Sequence, residues 1–365
     1  MPVLPKVAIV YLSFHCEPYL DDVISAFKKI TYPKELLELV VVDNPHPEYG
    51  SSMRYLEEVL LPHSGTDLPH ITLLPQTRNL GFAGGNNVGI NWAAVNGFEY
   101  IFLHNNDGFM ASGCLEPLVN VLVSDPSVGL AQSLILLYPE TDLVNTAGNA
   151  LNFLFVGYCN NFRKPLASLD LPPIIKTGYA SGAAVMLRTN LVREYGLWDE
   201  DFWLYHEDIE YTLRLKSVGY RPVVVRDSVF YHKYNFSRNK EKFYYIERNR
   251  LGTMLLYLRV PTLIVFLPMA IMFELGLLVF AAKQGWLRSK LRAYGFWLSF
   301  RHWKLWLKKR RQIQLHRTVS DRKLLHEIVA GIHFEEKNIN HWLLRYVGNP
   351  LLAIYWFVAR LFIVW

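Results

Sequence analysis

The feature that most constrains the fold is a series of short apolar runs that alternate with helix-like stretches near the N-terminus. The apolar runs occupy residues 6–14, 37–43, 70–75 and 100–104, and the stretch at 82–97 is typical of a helix. Continuous apolar strands separated by helices indicate a mostly parallel sheet that helices cover on both faces. We therefore predict an α/β fold.

Polar side chains end three of these runs, at Ser13, at Asp43 and at Asn105–Asp107. Because ligands of parallel α/β sheets bind at the carboxyl ends of the strands, these positions mark a candidate site. A cation such as Mg²⁺ or Mn²⁺ takes one or two protein carboxylates together with phosphate oxygens and water, and Asp107 would suit this. Asn-Asp-Gly triplets also form ordinary turns, so a metal site and a plain turn both stay open here.

The segment RNLGFAGGNNVG at residues 78–89 is rich in glycine. Glycines let a backbone approach a ligand closely, and a helix that begins here would offer its N-terminus to a diphosphate. A purely structural use of the glycines is the alternative. The segment does not match G-x-G-x-x-G, which argues against a dinucleotide-binding dehydrogenase.

Residues 178–235 predict a second group of elements, in the order strand, short helix, amphipathic helix and strand. Within this group, LWDEDFWLYHEDIEYTLRL at 197–215 concentrates acids and aromatics. Asp208 lies near the predicted helix start, where it either caps the helix or acts as a general base beside aromatics that stack on a sugar ring. The aromatics would suit a core equally well. His232 ends the last strand and would be a metal ligand only if it folds against Asp107.

The end of the chain differs in composition, because beyond Leu251 it becomes aromatic, apolar and basic. We predict a first domain at 1–250, with two halves at about 1–110 and about 111–250. A helical, membrane-associating region would follow at 251–365. We expect no signal peptide, and the three scattered cysteines, which have no paired spacing, favour a reducing compartment.

Val260–Ala282 contains 23 residues and one charge, Glu274, so it is long enough to cross a bilayer. Thirteen Lys or Arg residues and a single acid then lie between Lys283 and Lys323, a block that suits anionic lipid headgroups or nucleic acid. A single crossing would put this block opposite a cytoplasmic N-terminal domain, against the positive-inside tendency. We therefore predict monotopic attachment to the cytoplasmic face of the cell membrane, through an interfacial hairpin broken near Pro268.

Taken in order, several segments of this chain resemble the family 2 glycosyltransferases of the GT-A fold, in particular the rhamnosyltransferase-like branch. The resemblance covers about residues 6–235, and it implies that 1–250 is a catalytic domain, with a sugar-nucleotide half at about 1–110 and an acceptor half at about 111–250. It is carried by VVDN (41–44), NLGFAGGNNVG (79–89), LHNND (103–107), GAAVMLR (182–188), WDEDFWLYHEDIEYTLR (198–214) and YH (231–232).

The resemblance implies a role for individual residues. Asp107 would be the metal-binding carboxylate, with Asn105 and Asn106 in place of further acids, and His232 would complete the metal site. Asp208 would be the catalytic base. The nucleotide and its diphosphate would be bound by residues of the strand ends and the glycine-rich loop, namely Ser13, Asp43, Asn79, Gly81, Asn86 and Asn106. The acceptor would be bound by Trp203, His206 and Glu207. The chain departs from the family pattern at His206, where Phe is common, and at His104, where Leu is common.

The implied activity is an inverting, Mg²⁺- or Mn²⁺-dependent transfer of a sugar from a nucleotide-diphosphate donor, with dTDP-rhamnose as the first candidate. The acceptor would be a glycan or polyprenyl-linked saccharide of cell-envelope polysaccharide biosynthesis. A processive polysaccharide synthase is the alternative enzyme, although the chain lacks the Q-x-x-R-W motif usual there. A non-catalytic sugar-nucleotide-binding protein also stays open, and so does the oligomeric state. We expect no nucleic-acid partner, because such a module would leave the strand-end acids unexplained.

Overall fold

A computed structural model of the chain describes residues 4–234, 240–333 and 342–365. The chain divides into two compact units, each built from segments that are separated in sequence. The first unit comprises Met1–Gly148, Asn160–Trp203 and Arg221–Tyr234, and the second comprises Asn149–Cys159, Leu204–Tyr220 and Asn235–Trp365. The domain boundary near residue 250 stays a prediction.

The strands provide the frame of the first unit. In chain order they are β1 (Val7–Ser13), β2 (Leu37–Asp43), β3 (His70–Pro75), β4 (Tyr100–Asn105), β5 (Gly108–Met110), β6 (Val128–Leu137), β7 (Val144–Thr146), β8 (Asn149–Leu151), β9 (Gly157–Cys159), β10 (Ile174–Lys176), β11 (Ala184–Arg188) and β12 (Arg221–His232). Strands β8 and β9 pair with each other in the second unit, and the others form one sheet in the first unit.

The order along the main sheet is β10-β12-β6-β11-β4-β1-β2-β3, with β5 paired to β12 and β7 paired to β6. The pairs β1–β2, β2–β3, β1–β4 and β6–β12 are parallel. Strand β11 is antiparallel to both β4 and β6 and therefore joins two groups of strands that run in the same direction. The predicted mostly parallel sheet is confirmed.

This topology brings the predicted polar strand ends to one edge. Ser13 of β1 pairs with Asp43 of β2, and Leu12 of β1 pairs with Asn105 of β4. Because β12 runs in the same direction as β4, its last residue, His232, reaches this edge as well and pairs with Gly108 of β5.

Helices pack on this sheet through apolar and glycine surfaces. In the first unit they are α1 (Leu20–Lys28), α2 (Met53–Tyr55), α3 (Gly81–Val95), α4 (Leu115–Ser124) and α5 (Thr189–Tyr195). Helix α3 lies very close to β1. A Cβ on Gly85 would meet a methyl carbon of Leu12 at 2.5 Å, and one on Gly89 would meet a methyl carbon of Val10 at 2.5 Å. These two glycines are required for helix packing, which is the structural alternative that the sequence left open.

The second unit is mainly helical among the described residues. Its helices are α6 (Glu207–Ser217), α7 (Lys242–Tyr257), α8 (Val260–Gln284), α9 (Leu287–Trp297), α10 (Phe300–His316), α11 (Asp321–Leu324) and α12 (Asn349–Phe362). The predicted hairpin break near Pro268 is wrong, because α8 continues through this proline without interruption.

Candidate functional site

A cluster of polar side chains lies where β4, β5 and β12 meet at the carboxyl edge of the sheet. Asp107 Oδ1 is 2.9 Å from His232 Nε2, and it accepts a hydrogen bond of 2.7 Å from the Asn105 amide. On the other side of the ring, His232 Nδ1 lies 2.9 Å from Asn145 Oδ1. The structure thus brings together the two residues that the sequence predicted as metal ligands.

The hydrogen bonds of His232 determine how its ring can act. An amide oxygen only accepts, so the contact with Asn145 requires the proton on Nδ1 and leaves the Nε2 lone pair directed toward Asp107 in the neutral ring. The Asn105 amide nitrogen lies near both acceptors, at 2.7 Å from Asp107 Oδ1 and 3.2 Å from His232 Nε2, and a cation between them would stabilise the pair further. Burial opposes ionisation of Asp107, but the charge and hydrogen bond of His232 outweigh it and lower the pKa of the Asp107 carboxyl.

These two residues fit a divalent cation. An octahedral ion with bonds of about 2.1 Å holds neighbouring ligands about 3.0 Å apart. The 2.9 Å between Asp107 Oδ1 and His232 Nε2 matches this separation. No group of three or more His, Cys, Asp or Glu side chains arranged for a metal occurs among the described residues. The ion would therefore take its other ligands from a bound diphosphate and from water, as Mg²⁺ commonly does.

The end of β2 forms a second polar group, centred on Asp43. This side chain is 1% exposed, and its oxygens accept hydrogen bonds from the Ser51 hydroxyl at 2.5 Å and the Ser52 N–H at 3.1 Å. The carboxylate therefore fixes the loop that follows β2. Ser13, its partner across the ladder, is fully buried.

The start of the glycine-rich segment is fixed by side-chain amides. Asn79 Oδ1 accepts from the Asn44 amide at 3.1 Å and from the Gly81 N–H at 2.8 Å, while Asn44 Oδ1 accepts from the Leu80 N–H at 2.7 Å. Gly81 has a φ of +72°, which favours glycine. A Cβ at this position would also lie 2.6 Å from the Trp203 ring, so the turn excludes other residues for two reasons.

The N-terminus of α3 is not open to a diphosphate at its first N–H groups, which corrects that part of the sequence prediction. The N–H groups of Phe82 and Ala83 donate to the Trp203 carbonyl at 2.8 and 3.2 Å. Further along the helix, Asn86 is 1% exposed and donates to the Phe82 carbonyl at 2.9 Å. Asn106 donates to the Phe14 carbonyl at 2.9 Å. Several side chains that the sequence predicted to bind the nucleotide thus form hydrogen bonds with other groups of the protein.

Neighbouring acids begin α6 in the second unit. Glu207 is 5% exposed, and burial, followed by the charge of Asp208, raises the pKa of its carboxyl well above the ordinary value. Asp208 is only partly buried, and its Oδ1 accepts from the N–H of Ile209 at 2.8 Å. The helix is preceded by His206, so Asp208 is not its capping residue. Glu207 therefore stays protonated over a pH range in which a more exposed acid ionises.

Comparison with known families decides the relationship. The family model described as Glycosyltransferase like family 2 matches residues 5–252, more than half of the chain. The chain belongs to this family. No curated protein matches the chain in sequence.

The GT-A fold of this glycosyltransferase family 2 chain is also found in a solved structure of low sequence identity, and two further solved structures are similar to a lesser degree. GalNAc-T7 with UDP, GalNAc and Mn²⁺ is 13% identical, with a TM-score of 0.54 over 70% of this chain and 48% of that one. This chain thus spans about half of that relative. The mannosyltransferase PcManGT from Pyrobaculum calidifontis with GDP-Man and Mn²⁺ is 17% identical, with a TM-score of 0.48 over 86% of each chain. S. aureus TarS 1-349 with UDP is 14% identical, with a TM-score of 0.49 over 97% of this chain and 90% of that one.

In this family 2 chain the segment before α6 is conformationally strained. Trp203, Tyr205 and His206 have φ values of +64°, +62° and +68°, a region that such residues seldom adopt. Strain of this kind persists only where surrounding contacts enforce it, and it is common at functional sites. His206 is 6% exposed, and burial, followed by the charge of Arg250, lowers the pKa of its ring to about 3. The residue predicted to contact an acceptor is thus a buried, neutral histidine.

Asn249 of α7 holds this strained segment within the second unit. Its amide donates to the Leu204 carbonyl at 3.1 Å and to the Tyr205 carbonyl at 2.7 Å, and the side chain is fully buried. Sequence reasoning missed Asn249 and also Asn145, the partner of His232. Neither residue follows a strand end or lies in the motifs quoted from the sequence, so no local signal pointed to them.

The other histidine beside the Asp107 cluster belongs to the core. His104 is 1% exposed, and its ring packs near Tyr11, Phe27 and Phe230. Burial lowers the pKa of His104 to about 4, so the ring is neutral at physiological pH. This histidine therefore occupies an apolar position of the core.

Proposed function

We propose that the protein is an inverting, metal-dependent glycosyltransferase that moves a sugar from a nucleotide-diphosphate donor to a hydroxyl of a glycan or lipid-linked saccharide. The observation that carries this proposal is the contact between Asp107 and His232 at the carboxyl edge of the sheet, inside the segment that matches the family model. A carboxylate and an imidazole at ligand spacing, with little other ligation from the protein, suit an ion that shares its coordination with a diphosphate.

In this proposal the residues of the chain divide the chemistry. Asp107 and His232 bind the ion, and Asn145 keeps the His232 ring in the tautomer whose Nε2 can ligate. The ion, when bound, neutralises the charge that develops on the departing diphosphate. Asp208 accepts the proton of the attacking hydroxyl, and a single displacement inverts the anomeric configuration. Glu207, whose protonated form is favoured by burial, donates a hydrogen bond to an acceptor hydroxyl.

The donor nucleotide and its sugar are the open part of the proposal. The rhamnosyltransferase-like motifs favour dTDP-rhamnose, and UDP- and GDP-sugars are the next candidates. Asp43 and the loop it fixes would recognise the base, with the diphosphate at the ion that Asp107 and His232 would hold. An N–H of the base would bind Asp43 by replacing the Ser51 hydroxyl.

A panel of sugar nucleotides tests this proposal directly. With Mn²⁺ or Mg²⁺ present, we expect one donor class to raise the melting temperature, because a ligand at 100 times its dissociation constant adds about 2.7 kcal/mol to stability. The same donors with EDTA are the control and should give little protection. Protection that is equal with and without the metal would contradict a shared ion site, and the absence of protection by any donor would contradict the function.

Transfer at a membrane is the second part of the proposal. Among the described residues, α8 is long and apolar enough to cross a membrane, which is weak evidence by itself. We propose attachment to the cytoplasmic face, where polyprenyl-linked acceptors would be used for envelope polysaccharides. A processive synthase and a non-catalytic sugar-nucleotide sensor are the alternatives, and product length and turnover with a bound donor separate the three.

We propose Asn249 as a positioning residue, and its replacement by alanine tests this role. The substitution leaves the Leu204 and Tyr205 carbonyls without their donor and relaxes the strained segment that leads into α6. Because small misplacements of a reacting group reduce turnover strongly, we expect kcat to fall by about 10–100-fold with the donor KM unchanged. Steady-state kinetics, corrected for the folded fraction, measure kcat and the donor KM separately.

The matched control is Thr253→Ala, one helical turn further along α7. Thr253 is also fully buried, but its hydroxyl donates only to the Asn249 carbonyl of the same helix at 2.8 Å. We expect this variant to lose stability with kcat retained. Equal kcat values for the two variants would show that Asn249 has only a structural role.

A further inference from the structure

Helix α8 passes a length test for crossing a membrane, yet its contacts within the second unit point to another arrangement. At 25 residues it is about 38 Å long, which exceeds the roughly 30 Å hydrocarbon core of a bilayer. Its only acid, Glu274, lies about 3 Å along the axis from the helix midpoint. The environment of this carboxylate therefore shows what surrounds the middle of the helix.

Glu274 takes part in a network of buried charges. Its carboxylate forms an ion pair with Arg250 of α7 and another, at 2.6 Å, with Lys290 of α9. Arg250 is also 2.9 Å from Glu247, which itself contacts Lys290. Lys290 is fully buried and Arg250 is 2% exposed. Two acids and two bases thus balance one another against the middle of α8.

This network excludes a simple crossing by α8. If α8 crossed, Arg250 and Lys290 would lie near the bilayer midplane together with the helices that carry them. Helix α9 also carries Arg288 and Arg292, and charged side chains are costly at that depth. Separating α8 from α7 and α9 would instead leave buried charges without partners, which is also strongly unfavourable. Glu274 of α8 therefore stays in contact with α7 and α9 rather than with lipid.

The side of α8 that lies away from its buried residues Thr262, Phe266 and Met269 is apolar and exposed. Six large aliphatic side chains are between 53% and 64% exposed and recur every three or four residues: Val260, Ile264, Leu267, Ile271, Leu275 and Val279. This spacing places them on one side of the helix. An exposed apolar stripe of this length is typical of an interaction surface.

Helix α12 continues this surface. It packs on α8 through the hydrogen bond from the Tyr355 hydroxyl to the Val265 carbonyl, at 2.5 Å, and through the Phe266 and Trp356 rings, whose centroids are 6.0 Å apart. Helix α12 has its own exposed apolar residues, with exposures between 45% and 65%: Leu351, Ile354, Phe357, Val358, Leu361 and Phe362. We call the exposed apolar residues of α8 and α12 the lipid face.

We propose that α8 and α12 lie in the plane of an anionic bilayer, with the lipid face in the headgroup and acyl boundary, and that α8 does not cross. Charge complementarity selects this occupant. Basic residues lie at both ends of α8, at Arg259 and Lys283, and α10 presents exposed Arg301, Lys304 and Lys308. An apolar stripe accompanied by cations is the pattern of helices that lie on anionic membranes. The proposal deepens the membrane part of the proposed function and is independent of the transfer chemistry.

Fluorophores attached at single cysteines along α8 test this orientation. Val260→Cys, Ile271→Cys and Val279→Cys are made in the full chain with Cys159→Ser, because Cys16 and Cys114 are buried. With vesicles of phosphatidylglycerol and phosphatidylcholine we expect a blue shift at every position, and lipid quenchers should report the same shallow depth for each. A maximum depth at position 271, with the two ends reached from opposite sides of the vesicle, would overturn the proposal. So would a blue shift that needs no vesicles and depends on protein concentration, which indicates a second copy of the chain.

Charge substitutions on the lipid face give a second measurement. Leu267→Glu and Leu275→Glu should each reduce the vesicle partition coefficient by about tenfold or more, because a carboxylate replaces buried aliphatic area and repels anionic lipid. Val95→Glu, at a 73% exposed valine of the first unit, is the matched control and should leave partitioning unchanged. Donor-induced thermal protection should be the same in all three variants, so a failed donor assay and a failed lipid assay remain distinguishable. Unchanged partitioning of both leucine variants would overturn the proposal.

Discussion

Replacement of Asp208 by asparagine will lower kcat by about 10²–10⁴-fold and leave donor affinity unchanged, because the asparagine amide cannot accept the acceptor proton. The partly exposed carboxylate binds the N–H of Ile209 in its own helix, and the introduced asparagine could keep a similar contact through its amide oxygen. The substitution therefore removes a base with little change of shape. Release of the nucleoside diphosphate in the presence of acceptor measures kcat, and thermal protection by the donor measures binding.

Glu207→Gln is the matched control for this prediction. Burial and the neighbouring Asp208 raise the pKa of Glu207, which favours its protonated form, and a glutamine reproduces the charge and shape of that form. We expect kcat within about tenfold of the wild type, in contrast to Asp208→Asn. If instead Glu207→Gln abolished transfer and Asp208→Asn retained it, the two roles would be reversed. Near wild-type turnover by both variants would exclude this pair as the source of the base.

Much of the first unit could be predicted because a buried parallel strand has a simple signature. Three of the four apolar runs end at a polar residue, and strands that run in one direction bring those residues to one edge, as Ser13, Asp43 and Asn105 show. The contact between Asp107 and His232 depends on more than this. It requires β11 to lie between β4 and β6, because this strand joins the group that carries Asp107 to the group that carries His232. The residue types at Asp107 and His232 do not indicate this strand order.

The residues that sequence reasoning missed act through contacts distant in sequence. Asn145 meets His232 across 87 residues, and Asn249 meets Tyr205 across 44.

The apolar run of α8 has the same composition whether a helix crosses a bilayer or lies on it. Its orientation depends on the pairing of Glu274 with Lys290, which periodicity does not reveal. Pro268 predicted a break because proline has no N–H group to donate within a helix, but α8 continues through it.

Replacement of Asp107 by asparagine will reduce Mn²⁺-dependent donor binding by about 100-fold or more, since the site then keeps only one of its two proposed protein ligands. Asn145→Ala should reduce it by about 10–100-fold, the usual effect of removing the hydrogen bond that orients a ligating histidine. In that variant Nδ1 of His232 loses its acceptor, so the ring can adopt the tautomer that protonates Nε2. Mn²⁺ titrations with a fixed donor concentration, followed by thermal protection, measure both effects.

His104→Leu is the control that separates the metal site from the core beside it. His104 lies three residues from Asp107 in sequence, is buried and neutral, and packs among aromatic rings of the core. We expect Mn²⁺ affinity to remain within about twofold, because its ring donates nothing to the predicted ion. We therefore expect the largest loss for Asp107, a smaller loss for Asn145 and almost none for His104. Asp107 would contact the ion directly, Asn145 would act through His232, and His104 would do neither. An equal loss in all three variants would mean that general destabilisation, and not ligation, limits donor binding.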